Sequence, residues 1–226
     1  MSSFVYKCKH FIRDNESSMM ILSIIYRWFG FNRFKGKRGI KISWSGVFAK
    51  RVSIENYGVN NTLEIAKGCR LNNCKVQFFG DGNKVIISND CVFNEVDIWI
   101  SDGSVIEVGH NTHFTGKIHI ACIEGKTIRI GARCLFSNEI TLRTGDSHSI
   151  LNSKGERINQ AADIRIGDHV WVGQQVVILK GAGISSESII GTRALVTGKE
   201  FESNVIIAGI PARVINSGVT WHHDLK

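Results

Sequence analysis

His148, in the run TGDSHSI, is the residue of this 226-residue chain best suited to proton transfer. A neutral imidazole with a pKa of about 6.5 suits general base work near neutral pH. Such a base needs its second ring nitrogen held by an acceptor, so that the first faces the proton to be removed. Asp146 stands two residues before it, and Glu156 follows in the polar stretch SILNSKGERINQAAD. A backbone carbonyl could serve as well. Either carboxylate could equally be a solvated loop residue, and a histidine in a polar run could be a plain surface position.

Metal chemistry has less support. The six cysteines, Cys8, Cys69, Cys74, Cys91, Cys122 and Cys134, form no pair at two-residue spacing. No second histidine lies close to His148, and His222–His223 sit in the tail. A zinc site of the hydratase type needs three converging histidines, so no metal is expected. Scattered cysteines in apolar surroundings, with no secretory signal, read as free thiols in a reducing compartment, the cytosol. The formal net charge of +8 favours an anionic partner. Nucleic acid is not expected, because no CxxC pair, basic heptad helix or RNP-like strand is present.

The elements that must carry these residues are legible in a six-residue period. Aliphatics recur at Ile166, Val172, Ile178, Ile184, Ile190 and Val196. Small residues follow most of them, and Val170, Val176, Ala182, Ser188 and Ala194 stand four places on. Neither a helix nor an ordinary strand has that period. It fits one short strand and one corner per repeat, three repeats making one coil of a triangular prism. The same phase is read upstream at Ile65 and Leu71; at Ile87, Phe93, Trp99 and Val105; at Val108, Phe114 and Ile120; and at Ile130, Phe136 and Leu142. The slips between these sets are read as corner insertions. One larger gap, at about 147–163, reads as a loop thrown out from the prism, and long loops on rigid scaffolds are often functional.

The stretch IRIGDHVWVGQQVVILKGAGISSESIIGTRALVT, with VIIAGIPARVI after it, closely resembles the C-terminal signature of hexapeptide-repeat acyltransferases. The run IRIGARCLFSNEITLRTGDSHSI and the final GVTWHHD resemble bacterial polysaccharide O-acetyltransferases, including those acting on polysialic acid capsules. The resemblance spans roughly Glu107 to Asp224. It implies an all-β, left-handed parallel β-helix, usually trimeric, that binds acetyl-CoA between neighbouring prisms and moves the acetyl group to a sugar hydroxyl. Handedness comes from the resemblance alone, since crossovers are ordinarily right-handed.

It also implies roles for particular residues. His148 matches the family's catalytic histidine, and Glu156 matches a Gly-Glu that follows it in sugar acetyltransferases, at a shorter spacing here. Trp171, in HVWVG, matches a tryptophan lining the cleft between subunits; an outward aromatic on a slender prism also calls for a partner on physical grounds. Gly181, Ala182 and Thr197 would run along pantetheine, with Lys199, Arg213 and Arg193 as candidates for the phosphates. Trp44 and Trp99 read as packing residues. His113 and His119, with Lys117, could face an acceptor but have no counterpart in the motif.

Residues 1–38 are expected to be a helical segment, either capping the open end of the prism or lying as an amphipathic anchor on the inner membrane surface. Residues 39–212 form the β-helix, and 213–226 a tail. Rival functions are acetylation of an amino sugar nucleotide or a small hydroxylated molecule, and a non-catalytic β-helix scaffold.

Overall fold

The computed structural model describes residues 21, 24, 25, 29–36 and 38–225. Most of the expected N-terminal helical segment lies outside these residues. Where the segment is described, Arg33–Lys35 is already a strand, so the sheet begins before residue 39. Among the described residues no helix is long and apolar enough to cross a membrane.

The chain winds as a prism of three parallel faces. The first face is an eight-stranded sheet from Ile40–Trp44 to Glu200–Phe201, with Thr127–Ile130, Ile164–Ile166 and Gly183–Ile184 in between. The second face includes Val92–Asn94, Trp171–Val172 and Ile189–Ile190, and the third includes Lys75–Phe79, Val96–Ser101 and Val177–Leu179. Two long strands, His113–Cys122 and Leu135–Arg143, bend round the corner between second and third faces and pair on both sides of it. The chain runs from first face to second to third, then crosses the third-to-first corner into the next coil.

Every inward position of the C-terminal period is buried, as the spacing requires: Ile166, Val172, Ile178, Ile184, Ile190 and Val196 all lie in the core. A coil can bury these aliphatics only against its neighbours, so parallel pairing and core formation are one event. The second-to-third corner bends through left-handed residues, Glu95, Lys117, Glu139, Gln175 and Arg193, with φ of 50–62°. These stack as a polar ladder in which Glu139 accepts from Gln175 and Gln175 from Arg193, each at 2.7 Å.

Upstream the coil is longer than six-residue spacing implies. Ser53 pairs with Lys75, Lys75 with Asp97, Asp97 with His119 and His119 with Thr141, an advance of 22 residues each time. Val177 pairs with Leu195, an advance of 18. The longer third-to-first corner carries the extra length, and a buried asparagine ladder satisfies its backbone: Asn61 donates to Asn56 at 2.7 Å and accepts from Asn83 at 3.0 Å. This overturns two inward assignments. Trp99 is 42% exposed and Val105 is half-buried, while Ile98, Ile100 and Ile106 fill the core. Trp99 packs as expected, but on the outer face, stacked on Phe79 with centroids 4.5 Å apart. Trp44 also packs, edge-on to Phe34 at 5.4 Å and against the core. The five described cysteines are buried and free, and burial pushes the Cys134 thiol up to about 11.

Phe93, Phe114 and Phe136 stack on successive rungs inside the prism at 4.5 and 4.7 Å. Replacing the middle ring, Phe114→Ala, should cost about 3–5 kcal/mol, read by denaturant unfolding.

Candidate active site

The expected loop leaves the third-to-first corner after Arg143 and returns at Ile164. Its neck closes where the Ala162 amide donates to the Thr144 carbonyl at 2.9 Å. Its outer part is a hairpin, with Ile158 N–H on Ile150 O and Asn152 N–H on Glu156 O, turning through Gly155 at φ 79°.

One residue organises the base of this loop. Asn159 is 8% exposed, and its amide group donates to Asp146 Oδ2 and to the His148 carbonyl, both at 2.8 Å. Its oxygen accepts from the Ile150 amide at 2.8 Å and from Arg157 Nε at 3.2 Å. A buried amide is stable only with its groups satisfied, and these four contacts complete it. Flanking coils supply two further ties. Arg157 forks onto Glu124 of the preceding coil at 2.7 and 2.8 Å. Lys180 of the following coil donates to Asp146 at 2.5 Å and to the Asn159 carbonyl at 3.1 Å.

His148 is therefore held by its backbone, while its ring is exposed and, among the described residues, has no hydrogen-bond partner. Neither carboxylate expected to orient the ring touches it. Asp146 is occupied by Lys180 and Asn159, which hold its carboxyl below the ordinary range. Glu156 sits at the hairpin tip and accepts from Asn152 at 2.8 Å. Asp146 acts on His148 through Asn159, positioning the backbone rather than the imidazole.

The residues implied for the cofactor divide by corner. Gly181 and Ala182 occupy the next rung of the loop's own corner, and Thr197 and Lys199 the rung after. Gly181 has φ 75°, and a Cβ there would stand 3.2 Å from the Cα of Gly198, so a side chain would be strained and crowded where two corners touch. Lys199 is exposed, its ammonium 5.4 Å from the Phe201 ring centre. Arg193 lies elsewhere, on the second-to-third corner, and Arg213 on the closing antiparallel strand opposite Ala208. Trp171 stands between Leu135 and Ile189 on the second face, 40% exposed. In a triangular prism that face is opposite the corner bearing His148, so one chain does not bring the two side chains together.

The chain is 31% identical over 188 residues to the polysialic acid O-acetyltransferase of Neisseria meningitidis, covering 73% of this chain and 86% of the relative. It belongs to the polysialic acid O-acetyltransferase family, within the hexapeptide-repeat acetyltransferases. Among solved structures, the polySia-specific acetyltransferase NeuO superposes with a TM-score of 0.76 at 30% identity, covering 85% of each chain. The polysialic acid O-acetyltransferase OatWY gives 0.75 at 25% identity, covering 86% of this chain and 89% of that one. The galactoside O-acetyltransferase of Escherichia coli (strain K12) is 37% identical over 123 residues, and this chain spans 58% of its length. No protein-family model matches the chain.

Membership of the family agrees with the left-handed β-helix expected from the repeat signature. It does not point to Asn159, Lys180 or the Glu124–Arg157 fork, which the sequence reading passed over. Asn159 is one polar residue in a polar run. Lys180 meets Asp146 across 34 positions of chain, a separation no local pattern reports. Among the described residues no group of three His, Cys, Asp or Glu stands close enough to hold an ion.

Two outcomes follow for this family member. Asn159→Ala should strand the partners of a buried amide at a cost of about 1–3 kcal/mol. Hydrogen exchange should quicken over residues 146–160 and not in the coils. The Asp146 and Glu124 carboxyls are both held below their ordinary values, by Lys180 and Arg157 first. A depressed carboxyl contributes stability that is fully present above its unfolded pKa and is lost as pH falls through the folded one. Loop protection should thus stay constant from pH 8 down to about 5, and fail only below about pH 4.

Proposed function

We propose that this protein transfers acetyl from acetyl-CoA to a hydroxyl of a bacterial surface polysaccharide, with His148 as general base. The observation that carries this reading is the His148 ring itself: exposed, without a hydrogen-bond partner among the described residues, and set on a loop tied to the coils on both sides. An alcohol is a weak nucleophile at neutral pH, so a positioned base is the first requirement of the reaction. The imidazole takes the hydroxyl proton as the oxygen attacks the thioester carbonyl. The tetrahedral oxyanion then collapses, the C–S bond breaks, and the imidazolium returns its proton to the departing thiolate. Atoms and charge balance without a further co-reactant.

The acyl donor would lie along the third-to-first corner. There Gly181, Ala182 and Thr197 present backbone to a slender arm, and Lys199 offers charge to phosphate. Arg193 and Arg213 stand off that corner and would meet the donor only where it bridges to another copy. The separation of His148 from Trp171 within one chain supports a site completed by a second copy, and the trimer is the assembly that the resemblance to hexapeptide-repeat acyltransferases implies. An acidic acceptor is supported by the net charge of +8 and by the names of the relatives that cover most of this chain. The buried free thiols accord with a reducing compartment.

Thiol release from acetyl-CoA, measured over acidic and neutral glycans, tests the proposal. Acceptor-dependent release should fall by about 10²–10⁴ in His148→Ala with the fold intact. Equal turnover in the variant, release without any glycan, or sedimentation as a monomer at full activity would overturn it.

A further inference from the structure

None of the described residues after the closing strand Ala212–Ser217 enters the core, yet three successive coils commit side chains to them. Val219 exchanges two hydrogen bonds with Asn204, both at 3.1 Å. One coil back, Thr220 donates to Glu187 Oε2 at 2.7 Å, and the same oxygen pairs with His169 Nδ1 at 2.7 Å. At the next coil Trp221 stacks on the His169 ring, with centroids 4.4 Å apart and planes at 16°. Its indole N–H donates to the His169 carbonyl at 2.8 Å. Asn204, Glu187 and His169 all have left-handed φ at the first-to-second corner, so the prism's own repeat supplies the anchor points.

These contacts close on themselves. Thr220 and Trp221 are neighbours in the chain, and Glu187 and His169 join their side chains from the prism side. The hydrogen bonds from His169, then Thr220, hold the Glu187 carboxyl below its ordinary range. The indole has its one donor satisfied and one face covered, so it stands as a fixed post. What the post meets is Trp171, with centroids 6.2 Å apart and planes at 43°, a favourable spacing for an aromatic pair. Trp171 is otherwise poorly confined. Leu135 and Ile189 flank it along the stack and are themselves only half-buried. Gly173, two residues on, has no side chain to hold the ring from that end of the strand. With 40% of its surface exposed, a ring so placed turns between rotamers unless something stops it.

We propose that Trp221 is a positioning residue for the transfer reaction: it holds the Trp171 ring in one orientation, and the Thr220–Glu187–His169 contacts hold Trp221. The angle between the rings lets Trp221 abut Trp171 without covering it, so the outer face of Trp171 stays open to a ligand. A wall fixed in this way orders a flexible thioester arm laid against it, and a turning ring does not. The tail thereby serves the site through another residue and not through the core. This inference rests on the acetyltransfer reading above, with Trp171 as the cleft wall that the family resemblance implies.

The test is a double-mutant cycle on the full chain at saturating glycan. Trp221→Ala should lower kcat about tenfold, with KM for acetyl-CoA within about threefold of wild type and unchanged melting. Trp221→Phe should restore most of the loss. Added to Trp171→Ala, the Trp221→Ala change should cost nothing further, because the two rings act as one unit. Independently of turnover, fluorine NMR relaxation on the full chain labelled with fluorotryptophan reads the mobility of each indole. The Trp171 signal, identified by its loss in Trp171→Phe, should be as rigid as that of Trp44, which packs against the core. Its order parameter should fall by about a third in Trp221→Ala, by less in Thr220→Val, and not in Trp221→Phe, while Trp44 stays rigid. Losses that add across the cycle, or a Trp171 ring no more mobile without Trp221, would overturn the inference. Were no glycan to turn over, the relaxation arm would still decide whether Trp221 holds Trp171, and the missing turnover would count against the acetyltransfer reading alone.

Discussion

The inner side chains of each coil are buried only by the coils above and below it, so the rung-to-rung register governs where every outward residue stands. In a βαβ unit a helix covers each face; here, among the described residues, no layer covers the prism, and the core is one column of aliphatic and aromatic side chains. A slip of one position would turn that whole column outward. Register is therefore held hard, and chemistry has to be placed within it. Corners accept extra chain and faces do not, since added residues in a face would break pairing on both sides. The upstream coils put their extra length at the third-to-first corner, and the excursion bearing His148 leaves from the same edge.

An excursion of this kind gains little from the core. The loop keeps Ile150, Leu151 and Ile158 exposed, so burial does not order it. Polar closure orders it instead. Isolated surface ion pairs contribute little, but the Glu124–Arg157 fork is bidentate and half-buried, and it shares Asn159 with the Lys180–Asp146 pair. The contacts fix one another: Asn159 can face His148 only while Asp146 and Arg157 hold its two ends. A flexible loop would spread the imidazole over many positions, at a cost in effective concentration that a proton-transfer step depends on.

The division between what the sequence disclosed and what it did not follows from this physics. Ile166 to Val196 are readable because every rung there repeats one constraint at the shortest coil length. The same rule misplaced Trp99 and Val105, because a 22-residue coil is not a multiple of six and the phase resets at each long corner. His148 and Trp171 could be singled out by motif and by the awkwardness of an exposed aromatic. Asn159 and Lys180 could not, since their partners are brought close by coil stacking and not by neighbourhood in the chain. A tail was expected from residue 213, but the closing strand runs through Ala212–Ser217, and the path of the residues after it along His169, Glu187 and Asn204 depends on three corners that are neighbours only after the prism has wound.

Geometry also constrains how the proposed reaction can be housed. A triangular prism sets each corner opposite a face, and His148 and Trp171 occupy such an opposed pair. A site using both needs the corner of one copy set against the second face of another. That contact is heterologous, since the two copies offer different surfaces, and such contacts either close into a ring or run on as a filament. A ring of three leaves each corner and each second face used once, and gives three equal clefts. The tail climbs the edge of the same face that carries Trp171. In that arrangement Trp171, with Trp221 beside it, would line the cleft into which the neighbour's His148 loop projects, so activity would require assembly.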